Sequence, residues 1–185
     1  MQDATQTVDL LISHSQVQLR ARAFDEAACR WGPRNLEQRA ILHRDYVVFD
    51  PLPEDAFGAQ VHLVLAAAFA PDPRAQRRMQ VPFRVNPDAR VQVASAAEAF
   101  DVTLALQPGD YALYYEVCEG DDEVYYRLTL VPAAQPVAAR YLLDDPWAGC
   151  RMRRCRRECC SCRRRGGRGG TAGACWMTRA ARRSM

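Results

Sequence analysis

The sequence predicts an all-β fold: an antiparallel β-sandwich of eight or nine short strands with a disordered, arginine-, cysteine- and glycine-rich C-terminal tail. Three observations carry this reading. Residues 108–131, PGDYALYYEVCEGDDEVYYRLTLV, hold two arms with a period of two. Tyr111, Leu113, Tyr115 and Val117 share one face of the first arm, and Val124, Tyr126, Leu128 and Leu130 one face of the second, a spacing that a helix would scramble. Turn residues recur roughly every 8–12 positions through the first 130, as in sandwiches. From Arg151 hydrophobic periodicity ceases.

The elements follow in order. Residues 8–24 alternate from Val8 through Leu10 and Ile12, then from Val17 through Leu19 and Ala21, which fits two strands or one long bent strand. Residues 25–42 are less regular. Trp31-Gly32-Pro33 breaks the pattern, and 36–42 can form one or two helical turns. Residues 46–49, YVVF, make a short strand closed by Asp50-Pro51-Leu52-Pro53, where proline removes ladder donors. In 60–69, Val61, Leu63 and Leu65 alternate with His62, Val64 and Ala66, so a strand buried on both faces is expected, ended by Pro71-Asp72-Pro73. Strands are expected at 79–85, 90–94 and 100–106, with Asn86-Pro87-Asp88 as a turn, ahead of the hairpin. The β-domain then spans 8–132. Residues 133–150 form an extension that adds a last strand or trails away, and 151–185 form the tail.

The 185 residues are 49% hydrophobic and 9% aromatic, which suffices for a core and is too apolar for general disorder. All 25 basic residues are arginine. Thirteen of them face 21 carboxylates in 1–150, and twelve face one carboxylate in 151–185. The net +3 therefore hides a body of −8 and a tail of +11. The first twenty residues begin acidic and lack a long apolar run, so no secretory signal is expected. The stretch 61–70 is half the length of a membrane span. Cys29, Cys118 and Cys150 make no disulfide framework, so a soluble, cytoplasmic, reduced body is expected.

The tail carries Cys155, Cys159, Cys160, Cys162 and Cys175, but successive spacings of four, one and two do not build the separated pairs of a zinc finger or ribbon. Dense arginine would also repel the cation. The run Arg163-Arg164-Arg165-Gly166-Gly167-Arg168-Gly169-Gly170 resembles RGG-type segments that hold nucleic acid by its phosphates, so a nucleic-acid contact through 151–185 is an alternative reading. A GC-rich coding sequence read out of frame gives the same mixture of Arg, Gly, Ala, Cys and Trp. Resequencing the locus separates the two: one intact frame in several isolates excludes the frameshift.

His14, His43 and His62 each sit in or beside an apolar strand, in no metal or catalytic spacing, and a structural role is expected. Cys118 beside Glu119 is a poor nucleophile, because a carboxylate raises a thiol's pKa. No catalytic residue, metal site or cofactor is expected. Tyr111 and Tyr115 point one way and Tyr114 the other, beside Ala112 and Glu116. The second face is either cross-strand support or a partner-binding face. Glu54, Asp55, Glu119, Asp121, Asp122 and Glu123 fall in predicted loops, and a body of −8 suits a binder of a basic surface.

Ile12-Ser13-His14-Ser15-Gln16, Val81-Pro82-Phe83-Arg84-Val85 and Pro108-Gly109-Asp110-Tyr111-Ala112-Leu113 occur in an order and at intervals that resemble the competence protein J family, over roughly 8–132. The resemblance implies a small cytoplasmic β-protein, no enzyme, that binds and blocks a DNA nuclease. It departs at 25–55 and has no counterpart to the tail. The expected partner is a nuclease with a basic DNA cleft. The expected contacts are Glu119, Asp121, Asp122 and Glu123 at the hairpin tip, with Tyr114 or Tyr125 as an aromatic anchor. A carbohydrate- or lipid-binding sandwich is the other alternative, and would present a concave aromatic face. No membrane contact is expected.

Overall fold

The structure, a computed structural model, describes residues 3–51, 59–121, 123–145 and 149–158. Eleven strands occur among them. They are β1 (Ala4–Leu10), β2 (Val17–Arg20), β3 (Ala40–Leu42), β4 (Tyr46–Phe49), β5 (Ala59–Leu65) and β6 (Ala75–Val85). The rest are β7 (Gln92–Ala94), β8 (Ala99–Asp101), β9 (Gly109–Glu119), β10 (Val124–Pro132) and β11 (Arg140–Tyr141). The larger sheet runs β1-β5-β10-β9-β6-β11 and the smaller β3-β4-β2-β7-β8. This is the expected all-β sandwich; β11 is the last strand that 133–150 was expected to add or forgo, and β3 is added to the strands read from sequence. Every neighbouring pair is antiparallel except β5 and β10, which run parallel with Leu63 opposite Leu128. Among the described residues no helix is long and apolar enough to cross a membrane.

Residues 8–24 make two strands in different sheets. His14 and Ser15 turn the chain from one sheet to the other with φ of 53° and 49°, successive left-handed residues of a tight turn. The helical turns expected at 36–42 lie earlier. After a short 3-10 turn (Glu26–Cys29), α1 (Pro33–Gln38) starts on proline, and Gly32 N donates to Asn35 Oδ1 at 2.9 Å. Arg39 takes a left-handed φ of 51° that stops the helix and releases Ala40, Ile41 and Leu42, all buried, to pair as β3.

The core lies between the sheets. Phe49 of the smaller sheet stacks on Tyr115 of the larger, with centroids 4.1 Å apart and planes at 7°. Leu10, Leu19, Val61, Leu63, Met79, Val81, Leu113, Leu128 and Leu130 are fully buried around it, each contributing about 1.5–3 kcal/mol by leaving water. A second apolar cluster sits on the outside of the smaller sheet, where Cys29 and Trp31 pack on Ile41, Tyr46 and Val48. β8 is shorter than expected; Val102, Leu104 and Leu106 pack on the core without joining a strand.

β6 begins four residues before the expected strand, and a bulge between Ala75 and Arg77 resets its faces. Ala75 lies opposite Cys118, on the outer face, whereas Arg77 lies opposite Val117, on the inner face. A straight strand would have kept them on one side. The bulge thus drives a guanidinium into the sandwich, where Arg77 pairs with buried Asp145 and its Nη1 donates to Asp50 O at 2.7 Å.

The C-terminal extension supplies β11 on the edge of β6. Residues 151–158, which the sequence assigns to the tail, are also packed on the body. Tyr141 N donates to Arg153 O (3.0 Å), Met152 N to Tyr141 O (2.8 Å), Cys155 N to Ala139 O (2.9 Å) and Glu158 N to Leu42 O (2.7 Å). Cys155 is half-buried against the core. This strap joins β11 of one sheet to β3 of the other.

Candidate partner-binding site

The hairpin read from sequence is the centre of the larger sheet. β9 and β10 pair from Tyr111–Pro132 to Glu119–Val124. Gly120 N donates to Glu123 O at 2.9 Å, and a Cβ on Gly120 would run into that same backbone oxygen. Glycine is required here by close approach.

The tip is tied to the start of β6. Glu119 N donates to Arg74 O (3.1 Å), and Gln76 Nε2 donates to Glu119 Oε2 (2.7 Å). Arg74 Nη1 lies 3.3 Å from Asp121 Oδ1, whose side chain is 89% exposed. Glu119, Asp121 and Glu123 are all exposed. Asp122, like Glu54 and Asp55, lies outside the described residues.

Tyr114 and Tyr125 are on the outer face of the larger sheet, in the strands and not in the turn itself. Both hold the loop 66–74 against the sheet. Tyr114 stacks on Phe69, with centroids 3.8 Å apart and planes at 4°, and Tyr125 Oη donates to Asp72 Oδ2 at 2.8 Å. Burial first, and then the Asp72 carboxylate, raise the Tyr125 phenol above its ordinary pKa, so it stays a donor. The residue at the middle of this arrangement was not singled out from sequence. Glu116 is fully buried under the loop, where its Oε1 accepts from Arg78 Nε (2.6 Å) and from Asp72 N (3.0 Å). Arg127 Nη1 stands 3.6 Å from its other oxygen and donates to Ala70 O at 3.0 Å. A carboxylate inside a strand of alternating apolar residues was the available signal; its partners are Arg78 and Arg127 of the neighbouring strands β6 and β10 and the Asp72 amide of the loop, all distant in sequence.

Pairing register puts further carboxylates at the end of the sandwich that carries the tip. β5 runs parallel to β10, so its first residues lie beside the tip, and Asp9 is opposite Gln60 there. Leu11 N donates to Glu98 Oε1 at 2.5 Å, which brings the β7–β8 turn to that end. Asp144 follows β11 and accepts from Arg151 N at 2.6 Å. Asp9, Glu98 and Asp144 thus lie toward the same end of the sandwich as the tip, where Arg74 and Arg151 are also found.

Cys118, His62 and His43 are held in structural roles. Burial, aided by Asp72 and Glu116, pushes the Cys118 thiol up to about 12. Glu119, the neighbour in sequence, is not among the causes. His62 Nδ1 bonds Thr7 Oγ1 at 2.9 Å and His43 Nε2 bonds Ala28 O at 3.0 Å. Among the described residues no group of three His, Cys, Asp or Glu side chains is placed to hold a metal.

The sequence model of the competence protein J (ComJ) family matches residues 9–131. The chain belongs to the competence protein J family. The match runs from the end of β1 through β10 and takes in the whole hairpin. Two solved structures share the fold. ComJ of Bacillus subtilis, the inhibitor of the DNA degrading activity of NucA, aligns with a TM-score of 0.60 at 16% identity, covering 72% of this chain and 100% of its own. The product of crocagin biosynthetic gene J aligns with a TM-score of 0.52 at 15% identity, over 71% of this chain and 99% of its own. No curated protein sequence matches this chain. The family match ends before β11 and the strap, which lie beyond the matched residues.

Proposed function

We propose that this chain is a non-catalytic inhibitor of a DNA nuclease, and that its acidic hairpin tip enters the enzyme's basic DNA-binding cleft. Membership of the ComJ family supports the inhibitor role, since a structural relative inhibits the DNA degrading activity of NucA. The observation that carries the mode of binding is the tip itself: Glu119, Asp121 and Glu123 stand exposed on a turn braced by Gly120, Arg74 and Gln76. A cleft that holds DNA is lined by arginine or lysine, and fixed carboxylates can take those partners in place of phosphates. The Asp121–Arg74 pair is exposed and costs little to exchange for a partner cation. Glu119, Asp121, Asp122 and Glu123 are the contact set. Tyr114 and Tyr125 serve it from behind, by holding the loop that carries Asp72 and leads to Arg74.

The test is co-purification with a nuclease encoded beside this gene, followed by a DNA-degradation assay. Asp121→Lys/Asp122→Lys should weaken inhibition by at least tenfold without changing the melting temperature. Inhibition equal to that of the unaltered protein would refute the tip assignment.

A further inference from the structure

We propose that a groove between α1 and residues 151–158 binds the phosphodiester backbone of single-stranded DNA. The groove has a volume of about 380 Å³ and is lined by Arg34, Glu37, Gln38, Arg153, Arg154 and Arg156. Arg153 donates to Glu37, which answers one guanidinium. Arg34, Arg154 and Arg156 are exposed, and no ion pair among the described residues uses them. Three positive charges therefore border one concave space with no carboxylate assigned to them.

Their frame is fixed. Arg156 N donates to Gln38 Oε1 (2.8 Å) and Gln38 Nε2 to Arg156 O (3.1 Å), so the strap backbone is clamped to the end of α1. Asn35 Nδ2 donates to Glu158 Oε1 at 2.8 Å, a second clamp from the same helix. Side chains on a braced backbone lose less freedom on binding. Guanidinium forks match phosphate oxygens, and three forks spread over two segments suit a chain of phosphates better than one isolated anion. A groove of this size admits a flexible phosphodiester chain that can bend into it more readily than a stiff duplex, whose persistence length is about 150 bp. That favours a single strand over a duplex. The site uses none of the tip carboxylates and stands apart from the inhibitor reading.

The test uses the full chain and a labelled oligodeoxythymidylate, with binding followed by fluorescence anisotropy between about 50 and 200 mM salt. Arg34→Gln/Arg154→Gln/Arg156→Gln should weaken binding at least tenfold and flatten the slope of log K against log salt by about 2, since each neutralised phosphate of a single strand accounts for about 0.7. Arg163→Gln/Arg164→Gln/Arg165→Gln/Arg168→Gln, with the groove intact, should keep that part of the slope. Arg34→Glu alone, at an exposed helix position, provides the reading should the triple variant melt early. A groove variant that binds like the unaltered chain, or a weakening confined to the 163–168 variant, would overturn the proposal. Equal or tighter binding of duplex DNA would overturn the single-strand assignment. The assay contains no nuclease, so its failure leaves the inhibitor reading untouched, and the reverse holds too.

Discussion

Arg77 and Asp145 face each other inside the sandwich, each side chain 1% exposed, in surroundings built from Tyr115, Tyr126 and Tyr141. Removing one partner of such a pair leaves a charge without water or counter-charge, which costs about 3–5 kcal/mol, whereas replacing both by apolar groups is often neutral. Arg77→Met should therefore lower the unfolding free energy by about that amount in a urea titration, and Arg77→Met/Asp145→Leu should recover most of it. His62 supports a second prediction at this scale. Burial first, and then Arg127, hold its pKa below the ordinary value against the opposing pull of Asp72; Tyr125 meets its ring edge-on and Thr7 bonds its Nδ1. The folded protein then prefers the neutral ring, and just below about pH 6.5 the unfolded chain binds the extra proton. This contribution is fully present above pH 6.5 and is lost as pH falls from there through the folded pKa. Urea midpoints measured from pH 7.5 downward should decline in that window, and His62→Gln should flatten the decline. A slope unchanged in the variant would assign it to other groups.

Elements whose partners are local were readable from their residues. The β9–β10 hairpin follows from period-two alternation and one glycine, because its two arms pair with each other across a short turn. Elements whose placement depends on distant chain were not. The bulge that turns Arg77 inward is fixed by pairing of β6 with β9, and nothing in QRRMQ marks it. The parallel pairing of β5 with β10 joins segments about sixty residues apart, and β3 exists because Arg39 stops a helix that 36–42 could have continued. Of the site, the tip carboxylates were legible as a charged turn, while Glu116 and its loop were hidden because the bonds that bury Glu116 span 38 to 44 residues. The strap is the largest surprise, since its composition reads as tail and its order comes from β11, β3 and α1. Those contacts make a prediction. A chain ending at Glu158 should unfold like the full protein, whereas one ending at Cys150 should lose about 2 kcal/mol or more, because it gives up the bonds to Tyr141, Ala139, Leu42 and Gln38 and the burial of Cys155. In a protein of this size that lowers the melting temperature by about 4–8 °C. Equal melting of the two truncations would mean the strap adds nothing.

Across the whole molecule many charges are paired locally, as in Arg22–Asp25, Arg84–Asp110 and Arg90–Asp101, while two regions carry a surplus of one sign. Carboxylates from β1, the β7–β8 turn, the hairpin tip and the segment after β11 gather at one end, while the strap and α1 present arginine along the side where β3 and β11 meet. The exposed carboxylates of the tip outnumber the one arginine, Arg74, that pairs with them, and such a surplus is drawn toward a positive cleft before contact. Electrostatic steering acts on the rate of encounter, is screened within about 8–10 Å at physiological salt, and leaves dissociation comparatively unaffected. If the tip docks in a nuclease, association should slow by about tenfold or more as ionic strength rises from about 0.05 to 0.5 M, with a much smaller change in the dissociation rate. Glu119→Gln/Asp121→Asn/Glu123→Gln removes three fixed charges without altering the glycine turn, so it should lower the association rate and flatten its salt dependence. Arg34→Gln, on the opposite sign of surface, should leave both unchanged. Surface plasmon resonance on the purified pair reads the two rates separately. A salt dependence that survives neutralisation of the tip would move the contact to another part of that end of the sandwich, with Asp9, Glu98 and Asp144 the next residues to change.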